Sequence, residues 1–258
     1  MFGMGMTLRV DEIIKTLEKP SWIIVTILLQ FSIMPLLALL ICFVFNFSKE
    51  ISLGFLILGA CPGGTASNVI AYICRANVSL SILCTFVSTG LAIFLTPFYI
   101  FLMADESITI NLISLIQSTF YIIFLPVSAG FLVNMLFKKK QKILNFFPLF
   151  SEVIIALIIG VIFAVNFENL VNISYKMILG VVMHNLIGLI LALNICKLLK
   201  YPSDVKKTIG IEVAMQNSGL GMTLALLHFS KIVALPSAIF SLWHNISAAG
   251  LVYLWKKK

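Results

Sequence analysis

A carboxylate within an apolar segment is the side chain of this sequence with the clearest chemical potential. Glu212 lies inside the apolar stretch 208–230, and Gln216, Asn217 and Ser218 follow it within two helical turns. An ionisable group in such a segment is costly to bury and is by default a functional candidate. The alternative is a carboxyl that stays protonated and hydrogen-bonds a neighbouring helix. Because the neighbouring donors are oxygens rather than thiolates or clustered imidazoles, they suit a hard cation such as Na⁺ better than Zn²⁺.

A second group of oxygen donors lies in the first half of the chain, at Ser67, Asn68, Ser81 and Thr85. Ser81 and Thr85 are four residues apart, so their hydroxyls would share one helix face. An alternative is that these hydroxyls bond backbone carbonyls, which is common in membrane helices. Together with Glu212, the group contains enough oxygen atoms to replace the hydration shell of a sodium ion.

These residues flank two polar, glycine-containing interruptions of apolar segments, CPGGTASN at 61–68 and MQNSGLG at 215–221. A helix broken within a bilayer leaves backbone groups without partners unless they line a cavity or bind something. Thr65 and Asn217 lie near the starts of the second half-helices, where free N–H groups and the helix dipole favour an anion. Plain N-capping is the alternative role for both residues. Two such breaks in corresponding halves are typical of the ion and substrate site of a secondary transporter.

The composition indicates an all-α polytopic membrane protein. Apolar residues make up 60% of the chain and charged residues 11%, whereas soluble domains carry roughly 25% charged residues. The net charge of +8 is therefore no argument for a nucleic-acid partner. After a short apolar stub at 1–8 and an amphipathic interfacial segment at 9–20, the hydropathy predicts eight spans, at 21–47, 51–75, 78–103, 110–137, 147–167, 175–199, 208–230 and 234–255.

The basic residues predict the orientation of these spans. Fifteen of the 18 lysines and arginines fall on the side of residues 9–20, and the other side keeps only Lys49, Lys176 and Lys231. Positively charged loops remain in the cytoplasm. We therefore expect the interfacial segment and the C-terminus to be cytoplasmic.

The chain also contains a faint inverted repeat. A span, a broken span and a further span occupy 21–103 and again 175–255, but the two trios begin on opposite sides of the membrane. The first span of each trio contains deeply placed polar residues, Gln30 in one and His184 with Asn185 in the other. Inverted repeats are a common construction in transporters.

The remaining candidates are histidines and cysteines. His244 lies between Trp243 and Asn245 within the last span, and it could contact a ligand or simply hydrogen-bond a neighbouring helix. The five cysteines are odd in number and form no CxxC pair, so we interpret them as small packing residues. They are Cys42, Cys61, Cys74, Cys84 and Cys196.

At these residues the chain resembles the bile acid:sodium symporter family, and its bacterial members closely. The matching runs are GACPGGTASNVIAYICRANVSLSILCTFVST, IEVAMQNSGLGMTLALLHF and FSLWHNIS, and the resemblance covers essentially the whole chain. It implies an inverted-repeat transporter fold, in which a core with two crossing discontinuous helices moves against a panel of further helices.

Within a single transmembrane domain spanning 1–258, the resemblance assigns 21–103 and 175–255 to the core and 1–8 and 110–167 to the panel. Family members have about one and a half further helices before MFGMGMTL. The resemblance therefore implies that the chain lacks the N-terminal helix and part of the second.

The resemblance also assigns candidate ligands for two sodium ions and one anion. The first sodium site would use Ser67, Asn68, Ser81, Thr85 and Glu212. The second would use Gln30, Glu212, Val213, Met215 and Gln216, with backbone carbonyls contributed by Val213 and Met215. Substrate contacts would come from Thr65, Asn217, Ser218, Gly219, His244 and Asn245.

The expected function is that of a sodium-coupled symporter rather than an enzyme. It would import a small organic anion or a bile-acid-like carboxylate by alternating access, as a multi-pass protein of the cell inner membrane. Its partners would be sodium, the anion and the lipid bilayer, and the oligomeric state is open. Two alternatives are a cation/proton exchanger that uses Glu212 and an intramembrane serine hydrolase. The hydrolase would need a hydrogen bond between Ser218 as nucleophile and His244 as base.

Overall fold

The computed structural model describes residues 1–7, 19–136 and 175–256, together with most positions between 153 and 164. The predicted interfacial segment at 9–20 and the predicted span at 147–167 lie largely outside the described residues. Helices dominate the described part of the chain, and no strand is found there. The helices are α1 (Phe2–Thr7), α2 (Pro20–Phe45), α3 (Lys49–Gly59), α4 (Ala66–Ile73), α5 (Val78–Met103), α6 (Leu112–Leu136), α7 (Tyr175–Leu198), α8 (Ser203–Ala214), α9 (Ser218–His228) and α10 (Leu235–Lys256).

Four of these helices, α2, α5, α6 and α7, are long and apolar enough to cross a membrane. Their outward surfaces carry large apolar side chains, such as Leu28 on α2, Phe94 on α5 and Leu125 on α6, which are more than half exposed or nearly so. An apolar outer surface is stable only when lipid is the solvent. The prediction of an all-α polytopic membrane protein is therefore confirmed.

The two predicted spans that contain the interruptions are each divided into two helices in the structure. The span at 51–75 becomes α3 and α4, and the span at 208–230 becomes α8 and α9. The two interruptions meet, because an isolated antiparallel bridge pairs Gly63 with Gln216. The broken helices thus cross at their breaks.

The glycines of the first interruption are required by close approach rather than by unusual backbone angles, since no described glycine has a positive φ. A Cβ atom on Gly63 would lie 2.7 Å from Oε2 of Glu212, and one on Gly64 would lie 3.0 Å from the carbonyl oxygen of Gln216. A side chain at either position would therefore occupy the space in which the second broken helix lies.

Backbone groups that the breaks release from helical hydrogen bonding pair across the crossing. The N–H of Gly64 donates to the carbonyl of Met215 at 2.6 Å, and the N–H of Asn217 donates to the carbonyl of Pro62 at 2.8 Å. In a membrane, such groups have no water to bond. The two interruptions therefore stabilise each other.

Contacts between loops show which helix ends share a side. The ion pair between Lys49 and Asp105 at 3.0 Å joins the start of α3 to the end of α5. At the other end of α5, the hydroxyl of Thr208 on α8 donates to the carbonyl of Asn77, which lies just before α5, at 3.1 Å. These two contacts place Lys49 and Asp105 together at one end of α5, and Asn77 and the start of α8 together at its other end.

A buried apolar cluster between α2, α5, α7 and α8 supports the crossing from one side. It includes Met34, Leu83, Ala192 and Val213, all of which are fully or almost fully buried. All five cysteines are also buried and occupy packing positions. The cluster holds the end of α8, and with it Glu212, against the first repeat.

Candidate functional site

The carboxylate of Glu212 is the centre of the candidate site. Glu212 lies two residues before the end of α8 and is only 1% exposed. Its Oε1 accepts hydrogen bonds from the hydroxyls of Ser67 on α4 and Ser81 on α5, and its Oε2 accepts one from Thr85 at 2.9 Å. Two helices, α4 and α5, therefore bring hydroxyl oxygens from a distant part of the chain to the carboxylate on α8.

This group has more acceptors than hydroxyl protons. The hydroxyl of Ser81 also lies 2.9 Å from Oδ1 of Asn68, and that of Thr85 lies 3.0 Å from the carbonyl of Ser81. Each hydroxyl carries a single proton, so it cannot serve both acceptors at once. In the described part of the chain, no basic side chain pairs with Glu212. The site therefore lacks positive charge.

The donor chemistry narrows the kind of ligand that could supply that charge. In the part of the chain that the structure describes, no cluster of three or more His, Cys, Asp and Glu residues is present. The atoms around Glu212 are hydroxyl, amide and carboxylate oxygens. Hard cations prefer such oxygen donors.

A second polar group lies beside the first break. The side-chain amide of Gln30 on α2 donates to the carbonyl of Cys61 at 2.8 Å and to Oε1 of Gln216 at 2.5 Å. Its own Oε1 is buried and has no hydrogen-bond partner. The Nε2 of Gln216 is 3.5 Å from the carbonyl of Val213, which is a long contact.

The structure thus brings together three members of the predicted second sodium set, namely Gln30, Val213 and Gln216. The carbonyl of Met215 lies at the crossing, where it accepts the N–H of Gly64. Among the residues that the structure describes, the carboxylate of Glu212 accepts hydrogen bonds only from hydroxyls of the first set.

Among the predicted substrate residues, four lie at the second half-helix starts. Asn217 is an N-cap, since its Oδ1 accepts the N–H of Leu220 at 3.1 Å. Thr65 forms no such bond at the start of α4 and remains partly exposed. Ser218 is buried, whereas Gly219 is partly exposed. N-capping therefore accounts for Asn217 but leaves the hydroxyl of Thr65 without a capping role.

The other two predicted substrate residues lie on α10. His244 is largely buried, and its Nδ1 has no hydrogen-bond partner. Asn245 is exposed and donates its amide to the carbonyl of Ser241 at 2.7 Å. Neither residue is hydrogen-bonded to the interruptions, and no hydrogen bond joins Ser218 to His244. The nucleophile and base that a serine hydrolase requires are therefore not paired in this structure.

Sequence reasoning missed several residues that support the crossing. Thr96 on α5 donates its hydroxyl to the carbonyl of Ala60 at 2.6 Å, at the end of α3. A signal was present, because buried hydroxyl residues recur at helical spacing along α5 from Ser81 through Ser88 to Thr96. The close approach of Gly63 to Glu212 was also missed, and nothing in the local sequence indicates it.

Comparisons with known proteins find similar sequences among sodium-dependent transporters. A family model described as Sodium Bile acid symporter family matches residues 1–173. The uncharacterised sodium-dependent transporter YocS of Bacillus subtilis is 41% identical over 100% of this chain and 81% of its own length. The probable chloroplastic sodium/metabolite cotransporter BASS1 of Arabidopsis thaliana is 34% identical over 100% of this chain, which spans 65% of that protein. The human ileal sodium/bile acid cotransporter is 28% identical over 100% of this chain and 77% of its own length.

Proposed function

Because this chain belongs to the sodium bile acid symporter family, we propose that it is a sodium-coupled symporter for a small organic anion. Its relatives are named as transporters, which agrees with a protein that is not an enzyme. The chain is a multi-pass membrane protein, and its similarity to a bacterial transporter favours a place in the cell inner membrane. The basic loops favour a cytoplasmic C-terminus.

The observation that carries the proposal is the buried carboxylate of Glu212, surrounded by hydroxyls and without a cationic partner. A buried charge without a counter-charge costs several kcal/mol even after the protein relaxes. Sodium would provide that charge, and Ser67, Asn68, Ser81 and Thr85 would supply neutral oxygen ligands. The ion would also relieve the shortage of hydroxyl protons, because these oxygens would face a cation instead of competing for hydrogen.

A second sodium ion is proposed at the group formed by Gln30, Val213 and Gln216. The unpartnered Oε1 of Gln30 supports this assignment, since a buried amide oxygen without a partner is unusual. The carbonyl of Val213 is also available, because its helical partner would be the N–H of Asn217, which instead donates to Pro62. Met215 and Glu212 would complete the set after small adjustments.

The anion is proposed to bind at the starts of α4 and α9. Both half-helices direct the positive ends of their dipoles toward the crossing, where a carboxylate would be stabilised without Lys or Arg. The hydroxyl of Thr65 is not used in capping and would contact the anion, together with Ser218 and Gly219. His244 and Asn245 would bind a part of the substrate that lies against α10.

Sodium and anion binding would be coupled because both proposed sites lie at the crossing of the two interruptions. Sodium bound there would order the end of α8 and the start of α9, and the start of α9 forms part of the proposed anion site. A ligand shifts a conformational equilibrium only through its different affinity for the two states. Alternating access would then arise from movement of the core, 21–103 with 175–255, against the panel, 1–8 with 110–167.

The test is a sodium titration of the purified full chain in detergent, read out as thermal stability at constant ionic strength with KCl as the balancing salt. NaCl should stabilise the wild type, by about 2.7 kcal/mol at a hundred times the dissociation constant. Glu212→Gln should abolish this response because it removes the charge that the ion neutralises. Glu50→Gln is the matched control, since Glu50 is an exposed glutamate at the start of α3, and it should respond like the wild type.

The same titration should then be repeated with a panel of carboxylates, with and without NaCl. We expect one or more of them to stabilise the protein only when sodium is present. A stabilisation by protons that is independent of sodium would instead favour the exchanger, and an unchanged response of Glu212→Gln would contradict the proposed site.

A further inference from the structure

Asn185 on α7 bridges the second interruption and α10. Its Nδ2 donates to the carbonyl of Ala214 at 2.8 Å, and its Oδ1 accepts the indole N–H of Trp243 at 3.1 Å. The asparagine is completely buried. A buried amide whose donor and acceptor are both used is held in a single orientation.

The chemistry of the two neighbours leaves no alternative orientation for this amide. An indole N–H can only donate, and a backbone carbonyl can only accept. A flipped Asn185 would place two donors together at Trp243 and two acceptors together at Ala214. The side chain therefore acts as an adaptor of fixed polarity between α10 and the end of α8.

The hydrogen bond from Asn185 to the carbonyl of Ala214 replaces a helical hydrogen bond that the interruption removes. In a continuous helix, the carbonyl of Ala214 would accept the N–H of Ser218. That N–H instead donates to the carbonyl of Gln216 at 2.9 Å. Asn185 therefore satisfies a carbonyl that the break has released, in the peptide unit that joins Ala214 to Met215.

A corresponding contact exists in the first repeat. The amide of Gln30 donates to the carbonyl of Cys61 at the first interruption, and Gln30 lies as far along α2 as Asn185 lies along α7. The first helix of each repeat thus supplies one amide to the interruption of its own repeat. The two differ in what orients them, because Gln30 contacts Gln216 whereas Asn185 contacts α10.

We propose that Asn185 is a positioning residue for sodium binding, oriented by Trp243, and that it links α10 to the second sodium group. By holding the carbonyl of Ala214, it fixes the peptide units on either side and so directs the carbonyl of Val213 toward Gln216. Trp243 precedes His244 and Asn245, the candidate anion contacts on α10. The Trp243–Asn185–Ala214 chain therefore connects an anion-binding helix with the sodium ligands. This inference rests on the proposed sodium-coupled function.

The test compares sodium titrations of variants of the full chain, again with NaCl against KCl and thermal stability as readout. Asn185→Asp keeps an acceptor for Trp243 but cannot donate to Ala214 when ionised, and Asn185→Leu removes both bonds at similar volume. Each should raise the sodium concentration at half-maximal response by roughly tenfold, the effect of losing about one well-made buried hydrogen bond. Trp243→Phe leaves the bond to Ala214 in place but removes its orienting partner, and a rise of about threefold is expected.

Asn194→Leu is the matched control, because Asn194 is an exposed asparagine on the same helix. It should leave the sodium response unchanged. A carboxylate identified in the wild type should stabilise the Asn185 variants with nearly wild-type affinity once sodium is saturating, which separates positioning of the ion from damage to the anion site.

The outcomes distinguish this inference from the function on which it rests. A wild type without a sodium response overturns both. A sodium-responsive wild type combined with an unchanged half-maximal concentration in Asn185→Leu and Trp243→Phe overturns the positioning role alone. The same holds if the variants lose stability without sodium but keep their sodium affinity, since Asn185 would then have a purely structural role. If Asn185→Leu does not fold, Trp243→Phe and Asn185→Asp provide the same comparison.

Discussion

Gly63→Ala tests whether the position of the Glu212 carboxylate determines sodium affinity. The added Cβ would lie 2.7 Å from Oε2 of Glu212, whereas ordinary contacts begin at 3.4 Å. The carboxylate must therefore move by several tenths of an ångström. Ligand distances in metal sites tolerate only about 0.2 Å, so the displacement exceeds what a bound ion would accept.

The expected loss can be estimated from the bond that the displaced oxygen makes. Oε2 of Glu212 accepts the hydroxyl of Thr85 at 2.9 Å, and hydrogen bonds to charged groups contribute about 1.5–3 kcal/mol. Losing an interaction of this size should weaken sodium binding roughly tenfold to hundredfold. The cost without sodium should be near the lower end of the usual overpacking range of about 1–3 kcal/mol, because the clashing atom is the end of a side chain rather than backbone.

The assay is the sodium titration of thermal stability with Gly90→Ala as the matched control. A Cβ on Gly90, in α5, would meet nothing within 4 Å, so this variant should bind sodium like the wild type. Wild-type sodium affinity in Gly63→Ala would refute the reasoning. So would a variant that loses several kcal/mol of stability in the absence of sodium, since the backbone rather than the carboxylate would then bear the clash.

Two further predictions concern the hydroxyl ligands and the orientation of the chain. Thr85→Val and Ser81→Ala should each raise the half-maximal sodium concentration about tenfold. Ser32→Ala removes an exposed hydroxyl that is bonded within its own helix, and it should leave that concentration unchanged. Equal effects of all three variants would contradict the proposed sodium site. In sealed right-side-out vesicles, a membrane-impermeant maleimide should label Lys49→Cys but not Lys197→Cys, because Lys49 lies on the predicted outer side and Lys197 on the predicted cytoplasmic side. The five native cysteines are buried and should give little background labelling. The reverse labelling pattern would show that the orientation is wrong.

The positions of the interruptions could be predicted because their signal is local. Apolar segments interrupted by Pro, Gly and amide residues are visible without any knowledge of tertiary contacts, and Glu212 stands out as a charge within such a segment. The convergence of Ser67, Ser81, Thr85 and Glu212 was expected from the same features and is present in the structure. Whether these atoms bind sodium remains a prediction that the titrations address.

The partners of the released carbonyls could not be predicted, because they come from other helices. Thr96 is 36 residues from Ala60, and Asn185 is 29 residues from Ala214. Sequence periodicity places such side chains on a buried face but does not show which carbonyl they meet. The requirement for Gly63 was likewise hidden, since it depends on a carboxylate that lies far along the chain.

The pattern of these bonds suggests how the crossing behaves when the protein changes conformation. The two interruptions are joined to each other by backbone bonds from Gly64 to Met215 and from Asn217 to Pro62. These bonds have no water to replace them in a membrane, so opening the crossing would leave several polar groups unsatisfied at a cost of several kcal/mol. Side chains of neighbouring helices hold three further released carbonyls, those of Ala60, Cys61 and Ala214. We therefore expect the crossing to move as a unit with its flanking helices, and sodium to adjust ligand positions within that unit rather than separate its halves.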